Sequence, residues 1–261
     1  MDPVTAAGLI LREIKNRTDG GKLSTLYPDT GPLRRELYAK YLESFKAGKI
    51  HQERAILGGN RVGKTLGIGG FETACHLTGF YPPWWEGHVI DHPGLFWAAG
   101  TKSAKVRDVN QKMLLGELHR MRGFTQARGG LIPSRSIGRL TRKTGISDAV
   151  DQVVVKHRKG WENLLTFKSY EEGRPSFEAE AVDYIWLDEE PPKPIYDECK
   201  MRILTTDGRI LSTFTPVEGM TEVVLSLLEG SDLLAAHPGD QDPEPESDPD
   251  EDLYDIIAKY T

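Results

Sequence analysis

The sequence predicts an α/β fold with a mainly parallel central sheet flanked by helices. Short apolar runs alternate along the chain with longer polar or helical stretches, which is typical of parallel strands joined by crossovers. With 261 residues, of which 38% are hydrophobic and 28% charged, the chain has the composition of an ordinary globular protein with a sizeable core. The apolar runs are AIL, GLFWAAG, VVVKH, NLLTFKSY, VDYIWLD, RILSTFT and DLLAAH.

Composition divides the chain into three regions. Residues 1–50 predict a helical N-terminal arm, because AAGLILREIKNR and LRRELYAKYLESFKAG both place apolar residues at helical spacing. Residues 51–236 carry the alternating runs and predict the α/β domain. Residues 237–261 are rich in Pro, Asp and Glu with little to bury, which predicts an acidic linker or a disordered tail.

Several classes of protein are excluded. No apolar stretch approaches the roughly 20 residues needed to cross a bilayer, and the first residues lack the features of a secretory signal. Cys75 and Cys199 lie far apart, so no disulfide framework or paired-cysteine zinc site can be read. We therefore expect a cytoplasmic protein with no membrane partner.

The formal net charge of −6 conceals a basic segment at residues 102–159. This segment has fourteen Lys and Arg against four Asp and Glu, a balance of +10. Such a cluster can attract a polyanion, because neutralising phosphates and releasing counterions drives much of nucleic-acid binding. The alternative is an ordinary solvated surface.

The most specific motif is GGNRVGKT at residues 58–65, which satisfies G-x-x-x-x-G-K-[ST] in full. An apolar run precedes it and a possible helix follows, as in a P-loop that cradles phosphates with backbone N–H groups. Lys64 would contact the β- and γ-phosphates of ATP, and the Thr65 hydroxyl would complete the Mg²⁺ shell. The candidate nucleotide-binding residues of this loop are Gly58, Gly59, Asn60, Arg61, Val62, Gly63, Lys64 and Thr65.

A glycine-rich turn that binds nothing is the alternative reading of this loop. Three further glycines, Gly67, Gly69 and Gly70, weaken the helix that follows. Close packing of this helix against a neighbour would explain them.

An acidic strand end supplies the second part of a hydrolytic site. In VDYIWLDEE, Asp188 follows a buried-strand pattern and would hold Mg²⁺, while Glu189 would orient or deprotonate the attacking water. Glu190 is more typical of a solvated acid. A third strand, in LSTFTPVEG, ends with Thr213 and Thr215, which would lie beside the phosphates as a γ-phosphate sensor.

In this order and spacing, GGNRVGKT, IWLDEEPP and STFTPVEG resemble the ATPase half of the large terminase subunit of tailed bacteriophages, over roughly residues 30–230. The resemblance implies a P-loop NTPase fold of the ASCE or RecA-like type, with an added strand between the P-loop strand and the Asp-Glu strand. It implies ATP and Mg²⁺ as cofactors, Asp188 as a metal ligand and Glu189 as the catalytic glutamate. It also implies residues 213–216 as a coupling motif. An arginine completes hydrolysis in that family, and Arg61 and Arg174 are the candidates; either could instead form a structural ion pair.

The resemblance also implies partners and a location. We expect ATP hydrolysis to power packaging of viral double-stranded DNA into a procapsid, with the portal and a small terminase subunit as partners. The expected assembly is a homo-oligomeric ring on the capsid and a monomer in isolation, in the host cytoplasm and outside the mature virion. No nuclease activity is expected, since the family's nuclease domain has no counterpart here. The alternatives are a helicase-like RecA-type DNA-dependent ATPase and an assembly protein that uses ATP as a switch.

Overall fold

The structure is a computed structural model that describes residues 21–31, 33–59, 62–121, 124–178, 180–229 and 257–260, without the side chains of residues 120, 121, 124 and 257–260. The arm's first twenty residues, the run DLLAAH and residues 237–256 of the acidic segment lie outside these ranges. The division into arm, domain and tail therefore stays a prediction.

Helices and strands alternate along the described chain. The helices are α1 (Ala39–Ala47), α2 (π-helical over Lys64–Gly70, then α-helical over Phe71–Thr78), α3 (Ser103–Val106, π-helical Arg107–Gln111 and Lys112–Leu115), α4 (Lys193–Ile203) and α5 (Glu222–Leu228). The strands are β1 (Glu53–Leu57), β2 (Leu95–Gly100), β3 (Gly116–Met121), β4 (Phe124–Gly129), β5 (Ile137–Arg142), β6 (Val150–Lys156), β7 (Glu162–Ser169), β8 (Tyr184–Asp188), β9 (Arg209–Phe214) and β10 (Ile257–Tyr260). Short 3-10 helices occupy Gly21–Thr25, Arg35–Tyr38, Ser134–Ser136, Tyr170–Glu172 and Arg174–Phe177.

The central sheet confirms the predicted α/β fold. Its strand order is β10-β1-β9-β8-β2-β7-β6-β5, and the five strands from β1 to β7 in that order are parallel. Strands β5, β6 and β10 join antiparallel at the two ends of the sheet. Strand β9 lies between β1 and β8, as predicted for the added strand. The strands β1, β8 and β9 are buried along their whole length, as expected for a sheet covered on both faces.

The strand register brings three loops to one edge of the sheet. Leu57 at the end of β1 pairs with Phe214 at the end of β9, and Asp188 at the end of β8 pairs with Thr213. The loops after these strands therefore meet at the carboxyl edge, where ligands bind in open α/β sheets.

The glycines of α2 lie in close contact with neighbouring elements, which confirms the packing explanation. A Cβ atom at Gly69 would lie 2.2 Å from Trp186 Nε1, and one at Gly67 would lie 2.8 Å from Tyr27 Oη. At Gly70 it would lie 2.7 Å from Met113 Sδ. The helix thus approaches β8 and the arm more closely than a side chain would allow.

The described part of the arm packs into the main core. Leu23, Tyr27, Tyr41 and Phe45 are buried in the same apolar cluster as Trp186 and helix α2. Tyr27 Oη donates a 2.5 Å hydrogen bond to the carbonyl of Gly67. The arm therefore braces the helix that follows the P-loop.

A charged group is buried under α2. Arg54 of β1 donates to both carboxylate oxygens of Glu72, and His76 lies 3.2 Å from the same carboxylate. All three side chains are at most 1% exposed. Burial opposes ionisation of Glu72, but Arg54 and His76 outweigh it and lower its pKa to about 2. The pair Arg54 and Glu72 links strand β1 to helix α2.

The basic segment 102–159 includes strands β5 and β6, which form the end of the sheet away from β1. It comprises helix α3, the two-stranded sheet of β3 and β4, and the antiparallel strands β5 and β6. A groove of about 610 Å³ opens beside β4 and β5, with Thr125, Gln126, Arg139 and Arg142 among its lining residues.

Candidate active site

Lys64 is folded into the loop that follows β1. Its Nζ donates to the carbonyls of Gly58 and Gly59, each at 2.6 Å, and to Thr215 Oγ1 at 3.0 Å. Gly63 precedes it with φ 88°, a left-handed conformation that glycine adopts without strain. Burial lowers the pKa of Lys64, opposed by the negative charges of Glu189 and Asp188. The ammonium group is therefore bound to the first two carbonyls of the predicted P-loop.

Asp188 is buried at the end of β8 and held by three donors. Its Oδ1 accepts from Thr65 Oγ1 at 3.1 Å and from Thr213 Oγ1 at 3.0 Å. Its Oδ2 accepts from Asn110 Nδ2 at 3.3 Å. Burial raises the pKa of Asp188 to about 6, even though the hydrogen bonds from Thr213 and Thr65 oppose the shift. The three hydrogen bonds thus fix the orientation of the carboxylate. Because burial disfavours its charged form, a nearby cation would stabilise it strongly.

Glu189 has an unusual backbone conformation. Its φ is 66°, a left-handed value that is uncommon for residues other than glycine and that recurs at functional sites. Its N–H donates to the Thr213 carbonyl at 3.0 Å, and its own carbonyl accepts from Tyr170 Oη at 3.0 Å. These two bonds turn the chain out of β8, so that the Glu189 side chain is exposed while Asp188 points inward.

The two threonines of β9 and its loop have different partners. Thr215 Oγ1 donates to the Gly58 carbonyl at 2.8 Å and accepts from Lys64, so it lies beside the predicted P-loop. Thr213 is 2% exposed and donates to Asp188, so it lies beside the predicted metal ligand. The contact of both threonines with the phosphates stays a prediction.

A cleft of about 490 Å³ opens beside this cluster. Glu189, Thr215 and Thr101 line it together with the loop and first turn that lead into α5. Glu190, also in its wall, accepts a hydrogen bond from Thr221. The cleft gives solvent access to the exposed carboxylate of Glu189.

Sequence reasoning missed two residues of the site. Asn110 reaches Asp188 from α3, and Tyr170 holds the backbone of Asp188 and Glu189 from the turn after β7. Neither residue belongs to a motif, and both come from elements distant in sequence. The one sequence signal for Tyr170 is its position directly after β7, because that strand also ends at the carboxyl edge of the sheet.

Of the two arginine candidates for completing hydrolysis, the structure describes Arg174 and not Arg61. Arg61 and Asn60 lie outside the described residues. Arg174 forms ion pairs with Glu178 at 3.0 Å and with Glu198 at 3.0 Å, while its own side chain stays 56% exposed. Arg174 therefore has the structural ion pairs considered as the alternative, and its role in hydrolysis stays a prediction.

The oxygen atoms of Thr65 and Asp188 are suitable ligands for a magnesium ion. Thr65 and Asp188 offer a hydroxyl and a carboxylate oxygen, the hard ligands that Mg²⁺ prefers. Within the ranges that the structure covers, no three His, Cys, Asp or Glu side chains form a metal-binding group. The fit is therefore to an ion held partly by water and phosphate, as in P-loop proteins.

A phosphate-type loop after β1, an acidic end of β8 and the intervening strand β9 define the class of P-loop NTPase folds. The chain belongs to the terminase large subunit family, since residues 55–236 match the family described as "Terminase large subunit, T4likevirus-type, N-terminal". It is also 32% identical over 209 residues to the large terminase subunit of Salmonella phage P22. That match covers 74% of this chain and 41% of the relative, so the chain spans less than half the length of that protein.

Solved structures of large terminases show a more distant likeness. The large terminase of a thermophilic bacteriophage matches with a TM-score of 0.44 and 11% identity, over 67% of this chain and 38% of that chain. The ATPase domain of the Thermus phage P74-26 large terminase matches with a TM-score of 0.35 and 15% identity, over 68% and 69%. These TM-scores are too low for residue-level comparison, so the topology above rests on the strand order of this chain.

Proposed function

We propose that this chain hydrolyses ATP in a Mg²⁺-dependent reaction and that hydrolysis drives translocation of double-stranded DNA. The observation that supports this most is the convergence of Lys64, Thr65, Asp188 and Thr215 at one edge of the sheet, with Glu189 exposed beside them. The related terminase large subunit of phage P22 supports the packaging role.

The chain's own residues would act on ATP in distinct ways. Lys64 Nζ would leave the carbonyls of Gly58 and Gly59 and donate to the β- and γ-phosphates. Thr215 would keep its hydrogen bond from Lys64. Glu189 would accept the proton of a water molecule that enters through the cleft. Its backbone bonds to Thr213 and Tyr170 would keep the carboxylate in place during that transfer.

Thr65 and Asp188 would hold Mg²⁺, Thr65 directly and Asp188 through its water shell. The ion would neutralise charge on the β- and γ-phosphates. Asp188 would keep its hydrogen bonds from Thr213 and Asn110, and neither of these residues would bind the ion.

The basic segment 102–159 would contact DNA through backbone phosphates, because a packaging motor must pass any sequence and phosphate contacts carry no base information. The groove with Arg139 and Arg142 lies in this segment. The portal, a procapsid and a small terminase subunit are proposed as further partners, and a ring of copies as the working assembly.

The host cytoplasm is proposed as the location. In the described residues, no helix has the length and apolar character to span a bilayer.

Steady-state phosphate release with ATP and Mg²⁺ tests the proposal. Continuous turnover that stops in Glu189→Gln is the expected result. Binding of ATP with no turnover in the wild type would instead support an assembly protein that uses ATP as a switch. Separation of DNA strands with ATP would support the helicase-like alternative.

A further inference from the structure

Trp186 contacts the proposed metal site through its indole. It lies in β8 two residues before Asp188, and its Nε1 is 2.8 Å from Thr213 Oγ1. Trp186 and Thr213 are 0% and 2% exposed, so no water competes for this bond. An indole N–H can only donate, which makes the Thr213 oxygen the acceptor. The single proton of the Thr213 hydroxyl is then directed to Asp188 Oδ1, 3.0 Å away.

We propose that Trp186 is a positioning residue for the metal site, whose N–H fixes the Thr213 hydroxyl and thereby the Asp188 carboxylate. This inference rests on the proposed Mg²⁺-dependent function. Thr65 also donates to Asp188 Oδ1, but Thr65 is the residue that would bind the ion. Asn110 holds Oδ2, so Thr213 is the donor to Oδ1 that takes no part in metal binding, and Trp186 sets the direction of its hydroxyl.

Close packing keeps the indole in place. A Cβ atom at Gly69 would lie 2.2 Å from Trp186 Nε1 and 2.3 Å from its Cε2, so the ring fills the space that a side chain of α2 would occupy. Gly69 follows Thr65 by four residues on the same helix. The indole thus lies between the helix that carries Thr65 and the strand that carries Thr213. Gly69→Ala must displace the ring, and we expect it to have the same effect as loss of the N–H.

The experiment measures Mn²⁺ binding in the presence of ADP by electron paramagnetic resonance, which requires no turnover. Trp186→Phe keeps an aromatic ring and removes the donor, and Thr213→Val removes the hydroxyl at nearly constant shape. Each is expected to weaken Mn²⁺ binding by about tenfold, the lower end of the effect of residues that orient metal ligands. The double variant is expected to be no weaker than the single ones, because both break the same chain of hydrogen bonds.

Trp97→Phe is the matched control. Trp97 is also buried, on the adjacent strand β2, but its ring faces Lys168 and Phe177. Thermal unfolding of every variant separates weaker binding from loss of the fold, and Thr213→Val serves as the test if Trp186→Phe does not fold.

Wild-type Mn²⁺ affinity in Trp186→Phe or in Thr213→Val would overturn the inference, as would an equal loss in Trp97→Phe. Failure of the wild type to bind Mn²⁺ with ADP would instead overturn the proposed function itself, and the inference with it.

Discussion

Lys64 and Glu189 carry different parts of the proposed reaction. Lys64 would contact phosphate in the ground state, whereas Glu189 would act mainly on the water as it attacks. Lys64→Ala is expected to weaken nucleotide binding by about 10- to 100-fold, the value of a lost charge-assisted bond. Glu189→Gln is expected to keep binding and to lose about 100-fold or more in turnover. Nucleotide affinity and phosphate release, measured on both variants, give the two results separately. Normal turnover in Glu189→Gln would remove its assignment.

The buried Glu72 predicts a dependence of stability on pH. Its pKa is depressed from 4.5 to about 2 in the folded chain. Its contribution to the free energy of unfolding is therefore complete above pH 4.5 and is lost as the pH falls towards 2. This pKa difference corresponds to a contribution of about 3 kcal/mol to the free energy of unfolding. Glu72→Gln is expected to flatten the fall in melting temperature over this range and to destabilise the protein at pH 7, since Arg54 is left buried without its carboxylate.

Glu86→Gln is the control for this prediction, because Glu86 forms an exposed ion pair with Lys46. Exposed pairs contribute little to stability. A Glu72→Gln protein with the melting temperature of the wild type at pH 7 would contradict the account of the buried pair.

At the scale of elements, the prediction on DNA concerns the basic edge of the sheet, by which we mean the part of segment 102–159 that contains β3, β4, β5 and β6. Replacing Arg135, Arg139 and Arg142 together by alanine is expected to weaken DNA binding evenly across sequences. The slope of log K against log salt concentration is expected to flatten by about one for each lost phosphate contact. Fluorescence anisotropy with unrelated duplexes over a range of salt concentrations measures both.

A charge-matched control exists in α1 and the turn after it. Lys40, Lys46 and Lys49 are exposed there, on the arm. Their joint replacement by alanine is expected to leave the slope nearer the wild-type value. Unchanged DNA affinity in the arginine variant, together with a lower rate of ATP hydrolysis, would assign these arginines to a neighbouring subunit's site.

The elements of the parallel sheet could be predicted from sequence, while the basic edge could not. Strands β1, β2, β8 and β9 contain apolar runs buried in the sheet, as burial on both faces requires, whereas β7 alternates between buried and half-buried residues. Strands β3, β4 and β5 read GELHRM, FTQARG and IGRLTR, with no clear alternation, and the sequence showed only their charge. Lys64, Asp188 and Glu189 were found from motifs. The bond from Asn110 to Asp188 and the bond from Trp186 to Thr213 join elements that are distant in sequence, so no local sequence pattern predicts them.

At the scale of the whole molecule, we predict that the arginine that would complete hydrolysis comes from a neighbouring copy of the chain. Arg174 is half exposed and anchored by Glu178 and Glu198, so it can present its guanidinium to another copy of the chain. An arginine supplied in trans raises the rate by about a thousandfold or more. We expect the isolated chain to be a poor ATPase whose turnover rises more steeply than linearly with protein concentration.

Mixing Arg174→Ala with Glu189→Ala protein tests the action in trans. Each interface between the two variants can combine an intact arginine from one with an intact glutamate from the other. Recovery of phosphate release in the mixture is the expected result. Linear concentration dependence with no recovery would mean that Arg61 or another residue completes the site within one chain.

The most direct test of the central claim is ATP-driven protection of DNA. Linear duplex DNA, empty procapsids and a small terminase subunit are incubated with this chain, or with Glu189→Gln, and nuclease is then added. The account predicts protected DNA that requires both ATP and Glu189. Phosphate release by the wild-type chain with no DNA protected, or equal protection by the Glu189→Gln chain, would contradict it.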